Sequence, residues 1–407
     1  MITSEPRDRV TLWRVMGLLA VSAALGIAAP APAAAGFAPN EMLVAPNPGL
    51  IDFEFSQTRA KIAWTDTNGV LWLGGVNRAT GEFEPTSGKG LQIATNTVHD
   101  WNMFMWNGPE WISMASGDQI FYSYYLPGKK PVAANTRMAL AVQDKTGAWV
   151  TQPLNPPLPR MSHIASKNPG DPNPTIKYLD PQQNHYWRNV LDPASGVLLS
   201  FLPKSTKAWR FASGVRALMY TAPVDGTPQV FRYMLDTKVS EQLTFDSGAK
   251  DVERTVPWMW RAPEFDNDFV FSTVVDSSEI RIYRQFHGSQ AWTQVFGVSL
   301  PPGRSPGSPE WFVYNGKSYL FMVAYVDQAS YPSEVWLTNV DAARPLTRRI
   351  NDSTLLRARN DPEVFITTDH GPLIYYNRYD PSLDPDHPLC QACSEGVYRA
   401  DPGLKGL

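Results

Sequence analysis

The sequence predicts an all-β chain folded as a seven-bladed β-propeller, and three recurrences predict it. A charged residue set before an aromatic or apolar one, usually after Pro, recurs at Glu54, Glu110, Arg160, Arg210, Glu264, Glu310 and Glu363, at spacings of 46 to 56 residues. An apolar run ending in Asp follows, as in Ile62-Ala63-Trp64-Thr65-Asp66 and again over 176–180, 218–225, 269–276, 321–327 and 374–380; the second copy, 120–125, lacks the Asp. A third apolar run is centred on Trp72, Met138, Trp187, Phe231, Tyr283, Trp336 and Tyr398. Each marker counts seven. The runs are rich in Val, Ile, Tyr, Phe and Trp and are punctuated by Gly, Pro, Asn and Asp, the pattern of four short strands per repeat. No segment past the N-terminal region sustains a helical period over a dozen residues. Six blades with an irregular segment, or five with long insertions, are the alternatives.

Composition narrows the function classes. The chain has 407 residues, 36 Pro and only 18% charged residues, which excludes a coiled coil, a helical bundle and a disordered tail. Two Cys cannot make a disulfide scaffold. A formal charge of −3 with no basic block argues against a nucleic-acid partner. A ring of small sheets also explains how so long a chain stays one domain.

Residues 1–35 read as a secretory signal peptide. Arg7, Arg9 and Arg14 precede an apolar stretch from Val15 to Ala29, and Ala31-Pro32-Ala33 and Ala33-Ala34-Ala35 both offer small-x-small cleavage patterns. No later run is long enough to span a membrane as a helix. The mature protein is therefore expected to be exported, periplasmic or secreted, with 36–407 as a single propeller. The last repeat runs out after 396–400, while the short apolar stretch 41–45 has no repeat of its own. The N-terminal strand is thus expected to complete the seventh blade and close the ring.

In a propeller the first strand of each blade lines the central channel. The aligned charged positions would place Glu54, Glu110, Glu264, Glu310 and Glu363 in one funnel, broken by adjacent Arg160 and Arg210. Two readings stay open. Repeated Glu residues can latch one blade to the next through backbone N–H groups or a Trp N–H. Clustered carboxyls also repel, which keeps one of them protonated for general-acid work. A pair of carboxyls can cut a glycosidic bond. Arg160 and Arg210 present planar forks suited to an anionic group, or pair with Glu110 and Glu264 around the ring.

Aromatics flank the same positions. Met105-Trp106-Asn107-Gly108-Pro109-Glu110-Trp111 parallels Met259-Trp260-Arg261-Ala262-Pro263-Glu264-Phe265, and Trp101 and Trp258 stand nearby. Such rings either wedge between blades, as expected for Trp106 and Trp260, or offer platforms to sugar faces, as expected for Trp101 and Trp258. His99 and His185 fall in expected loops, and His163 follows Arg160, but no metal-ligand spacing joins them. Cys390-Gln391-Ala392-Cys393 lacks the His of a haem site and the second Cys pair of a zinc site, so a local disulfide pinning the loop 379–395 is expected. The Asp residues closing the second run of each repeat read as turn initiators rather than calcium ligands. Phosphate-loop, dinucleotide and nucleophile-elbow motifs are absent, and no cofactor or metal is expected.

Glu241-Gln242-Leu243-Thr244 before Pro263-Glu264, and Pro345-Leu346-Thr347 before Pro362-Glu363, resemble the repeats of TolB-like propellers of exported bacterial proteins. The usual Pro-Asp-Gly turn of those repeats is replaced here by forms such as Asp266-Asn267-Asp268. Ser308-Pro309-Glu310-Trp311 with Gly316-Lys317-Ser318-Tyr319-Leu320-Phe321, and Asp361-Pro362-Glu363-Val364-Phe365, resemble strand motifs of furanosidase-type glycoside hydrolase propellers, which have five blades. That second resemblance implies Glu310 and Glu363 as the acid/base pair acting on a glycan, an acidic one if Arg160 and Arg210 act as clamps with Glu110, Glu264, Trp101 and Trp258 around them. The TolB-like resemblance implies instead a binding or protein-interaction module working through a propeller face. Propeller polysaccharide lyases use His, Tyr and Arg in such a funnel, which would put His163 with Arg160 and Arg210 in a third reading.

Overall fold

A computed structural model describes residues 40–405 apart from 86–89, 100–107, 156–157, 169–170, 203–209, 247–253, 328–329, 353–355 and 388. The described strands form seven antiparallel sheets, six of four strands and one of five, arranged as a seven-bladed propeller. The helical segments among the described residues are single 3₁₀ turns of three residues. Blades 1 to 7 begin with the innermost strands Ile51–Ser56, Glu110–Ile112, Met161–Ala165, Arg210–Phe211, Arg254–Ala262, Ser305–Tyr314 and Ala358–Thr367.

Both faces of each blade are covered by its neighbours, so its middle strands are apolar at successive positions rather than at alternate ones. In blade 4, Leu218 and Tyr220 face blade 3, packing with Ile164 and Trp187, while Ala217 and Met219 face blade 5, packing with Met259 and Phe271. Seven such apolar clusters join successive blades, and the one uniting Phe365, Leu373 and Tyr375 with Phe53, Ile62 and Trp64 joins the last blade to the first.

The ring closes as the sequence predicts. Strand Glu41–Ala45 pairs antiparallel with Ser394–Ala400 as the outermost strand of blade 7. Its Glu41 carboxylate, 2% exposed, accepts hydrogen bonds from Nε and Nη2 of Arg359, both at 2.7 Å, and from the Tyr376 hydroxyl at 2.9 Å. The Asn40 amide donates to Ile350 and Asp401 carbonyls, each at 2.7 Å. Asp66 and Asp180 act as the expected turn initiators: Asp66 accepts the N–H groups of Asn68 and Val70, and Asp180 those of Gln182 and Asn184. Cys390 and Cys393 are bonded to each other beside the last blade. No described helix is long and apolar enough to cross a membrane. The expected signal peptide lies outside the described residues.

Candidate active site in the central channel

The innermost strands carry a shared irregularity that decides which side chains meet. In blades 1, 3, 5, 6 and 7 the pairing register shifts once, just before Glu54, Ile164, Trp258, Glu310 and Glu363. A bulge adds a residue to one strand and re-aims the side chain after it. In blades 1, 5 and 7 the residue two positions earlier, Asp52, Val256 or Asp361, takes a left-handed backbone conformation. The ring of equivalent positions is therefore Glu54, Glu110, Ile164, Arg210, Trp258, Glu310 and Glu363, and all of them line one cavity of about 280 Å³. That is near the lower end of ligand-pocket sizes, about 300–1,000 Å³.

Two of the sequence-aligned positions leave the ring. Arg160 precedes its strand; its guanidinium stacks over Tyr186 at 4.9 Å and Tyr178 at 5.9 Å and donates to the Pro159 carbonyl. Stacking on these rings holds the half-buried guanidinium outside the cavity lining, so it does not join Arg210 as an anion clamp. Glu264 lies past its nine-residue strand, in the turn Pro263–Phe265. Its carboxylate accepts the Ser318 N–H at 2.7 Å and the Ser318 hydroxyl at 2.9 Å, the interblade latch that was the other reading of these Glu residues. Trp260 is fully buried, stacked on Trp311 and donating to the Ser318 hydroxyl. Trp258 takes the ring position instead, with Arg210 over its face at 4.7 Å. The expected platform is thus covered on that face by the guanidinium.

His163 falls at the bulge of its strand, and its side chain lies outside the described residues, as do Trp101 and Trp106. His185 is buried at the start of strand His185–Asn189 rather than in a loop. Among the described residues, no three His, Cys, Asp or Glu side chains are grouped to hold a metal ion.

The cavity's cations are engaged across the channel, not with the neighbours expected from chain order. Arg210 of blade 4 binds Glu310 of blade 6 at 2.6 Å, and Lys167 of blade 3 binds Glu54 of blade 1 at 2.7 Å. Lys167 carries no repeat signature, so the sequence gives no signal for it. Burial acts against its ammonium, but Glu54, Glu110, Glu363 and Glu310 outweigh burial and hold it charged. The same balance, led by Glu310 after burial, holds Arg210 charged.

Glu363 stands apart. It is 7% exposed and lines the cavity, and its carboxyl makes no hydrogen bond to another described residue. Burial, then Glu310 and Glu54, push its carboxyl well above the usual carboxylate range, with Lys167 opposing. Glu310 is raised too, by burial first, although Arg210 and Lys167 pull it down. Behind the ring, burial and the charges of Glu54 and Glu110 raise Asp52 to about 7, and burial with Asp52 raises Asp361 well above its ordinary value. Sequence reasoning missed both Asp residues, although the signal was present: Asp52-Phe53-Glu54 and Asp361-Pro362-Glu363 repeat the same Asp-x-Glu. Chemically, the channel can hold a polar ligand, donate a proton from a buried carboxylic acid and accept one at a second carboxylate.

No protein-family model matches the sequence, and no curated protein does. Solved structures match at low identity and at TM-scores below 0.5. A Dyadobacter fermentans protein of unknown function matches at TM-score 0.45 and 10% identity, covering 89% of this chain and 97% of that one. A prolyl endopeptidase matches at TM-score 0.47 and 10% identity, covering 84% of this chain and 47% of that one, so the chain spans about half of the peptidase. The GH93 α-L-arabinofuranosidase of Fusarium graminearum, solved with arabinobiose, matches at TM-score 0.31 and 16% identity over 40% of this chain and 53% of that one.

Proposed function

We propose that this chain hydrolyses a glycan in the central channel, with Glu363 as the acid that protonates the leaving oxygen and Glu310 as the partner carboxylate. The observation that carries this reading is Glu363 itself: buried, facing the cavity, its carboxyl without a hydrogen-bond partner among the described residues and pushed well above the usual carboxylate range by burial and by Glu310 and Glu54. A carboxylic acid kept neutral near pH 7 is what general-acid cleavage of an acetal needs. Glu310, tied to Arg210, is the better placed of the two to stay ionised. Trp258, Trp311 and the Phe rings of the wall supply apolar surface for a sugar ring.

The charge balance favours a neutral glycan over an acidic one. The carboxyls of Asp52, Glu54, Glu310, Asp361 and Glu363 act on one another here, the cations among the described residues that act on them are Lys167 and Arg210, and both are already ion-paired. The composition of residues 1–35 supports export, and with it an extracytoplasmic substrate.

The ion pairs also favour a second reading, a binding module whose ring charges are mutually satisfied. Incubation with neutral and uronate-containing polysaccharides, following reducing ends and unsaturated ends separately, separates the readings. Hydrolysis predicts reducing ends alone, lost by about 10²–10⁴-fold in Glu363→Gln. Unsaturated ends would replace hydrolysis with elimination. Binding of an oligosaccharide without any release of ends would favour the module.

A further inference from the structure

Behind the ring, two carboxyls meet across the seam where the propeller closes. Asp52 of blade 1 and Asp361 of blade 7 are hydrogen-bonded to each other through their side chains. Two carboxylates cannot make that bond; one must carry a proton. Asp52 also accepts the backbone N–H of Gly108 in blade 2.

The three residues occupy the same place in successive blades, two positions before Glu363, Glu54 and Glu110. Gly108 is required there, because a Cβ would strike the Asp52 carboxyl. Asp52 and Asp361 are held at φ 47° and 53°. This left-handed region suits Asp and Asn better than other non-Gly residues. The result is a hydrogen-bonded chain, Asp361 to Asp52 to Gly108, beneath the Glu ring and across the closing seam.

We propose that Asp52 and Asp361 are positioning residues of the channel site, one shared proton tying blade 7 to blade 1 and fixing how Glu54 and Glu363 face the cavity. The catalytic consequence rests on the hydrolase reading; the shared proton does not. The charged groups acting on the pair are Glu54 from blade 1, Glu110 from blade 2, Glu310 from blade 6 and Glu363 from blade 7, with Lys167 and Arg210 as the cations acting on the same ring. Losing the shared proton places a second negative charge behind Glu363. Glu363 and the pair therefore titrate together, and the upper pH limit of activity belongs to the group rather than to Glu363 alone.

Asp361→Asn tests this, since an amide keeps the bond without the proton and tolerates the backbone. Three readouts apply to the full chain: the infrared carboxylic-acid C=O band near neutral pH, the melting temperature between about pH 5 and about pH 8, and the pH–rate profile on whichever polysaccharide is cleaved. The variant is expected to lose acid-band intensity and to melt with a flatter pH dependence. Its alkaline limb is expected to move acidward by about one pH unit. Asp52→Asn should do the same and serves if Asp361→Asn does not fold. An acid band, melting profile and rate profile superimposable on those of the unmodified protein would overturn the proposal. If the unmodified protein cleaves nothing, the hydrolase reading fails by itself, and the infrared and melting readouts still decide the shared proton.

Discussion

Glu363 and Lys177 are buried ionisable side chains with no hydrogen-bond partner among the described residues, and they sit in opposite settings. Glu363 opens on the cavity, where its proton is usable. Lys177, 0% exposed, sits mid-strand opposite Ile164 and Trp187, and burial alone lowers its ammonium to about 7. A group shifted in this direction costs stability wherever the unfolded chain would still bind the proton: the cost is full below about pH 7 and fades as the pH rises to the ordinary lysine range. Lys177→Met is therefore expected to raise stability near pH 7 by on the order of 3 kcal/mol, with the gain shrinking as the pH approaches 10. Chemical denaturation at the two pH values checks it. For Glu363→Gln we expect two effects of opposite sign: loss of activity, and a higher melting temperature near pH 8, because the amide needs no proton to be buried. An unchanged melting temperature would mean that Glu363 is not under electrostatic strain. The sequence named Glu363 and Glu310, since both stand in recognisable Pro-Glu motifs. It could not name Lys167, whose partner lies two blades away, or show that Arg160 is taken up by two Tyr rings of its own blade.

Strand by strand, the fold was legible because each blade must bury both faces, which writes runs of apolar residues separated by turn formers. The phase of the innermost strands was not. A bulge inserts a residue without any fixed sequence mark, so aligning on Pro and a charge put Arg160 and Glu264 where Ile164 and Trp258 stand. The count of seven survived, since a slip of a few residues does not change the number of repeats. The closing strand was legible for a different reason: the last repeat lacks a strand, and residues 41–45 supply one. Its hold depends on Glu41, buried against Arg359 at 2.7 Å. Removing one member of such a pair leaves a buried charge unmatched, so Glu41→Ala is expected to cost about 3–5 kcal/mol. The urea midpoint should fall for the whole transition, since the seam holds the ring. A separate early transition confined to blade 7 would instead show that the strand merely decorates its edge. Gly108→Ala, two residues before the inner strand of blade 2, should destabilise by displacing Asp52, and Asp52→Ala in the same chain should recover part of the loss.

For the molecule as a whole, the channel makes stability a function of pH. Asp52, Asp361, Glu310 and Glu363 all bind protons more tightly in the folded ring than free carboxyls do. Their contribution is fully present below the ordinary carboxylate range and is lost as pH rises through the folded values, about 7 for Asp52. The propeller is therefore expected to melt at a higher temperature near pH 5 than near pH 8, by several degrees, and the difference should persist in moderate salt because Glu363 is buried and Asp52, Glu310 and Asp361 are at least half-buried. The opposite trend would mean that the ring carboxyls are ionised and matched by cations.

The most direct single measurement is a ¹³C NMR titration of the glutamate carboxyl carbons in the unmodified protein and in Glu363→Gln. One glutamate signal should titrate well above the ordinary value of 4.5. That signal should be missing from the variant, which identifies Glu363 as the channel's protonated acid. If every glutamate carboxyl titrates in the ordinary range, the channel holds no such acid and the proposed chemistry is wrong.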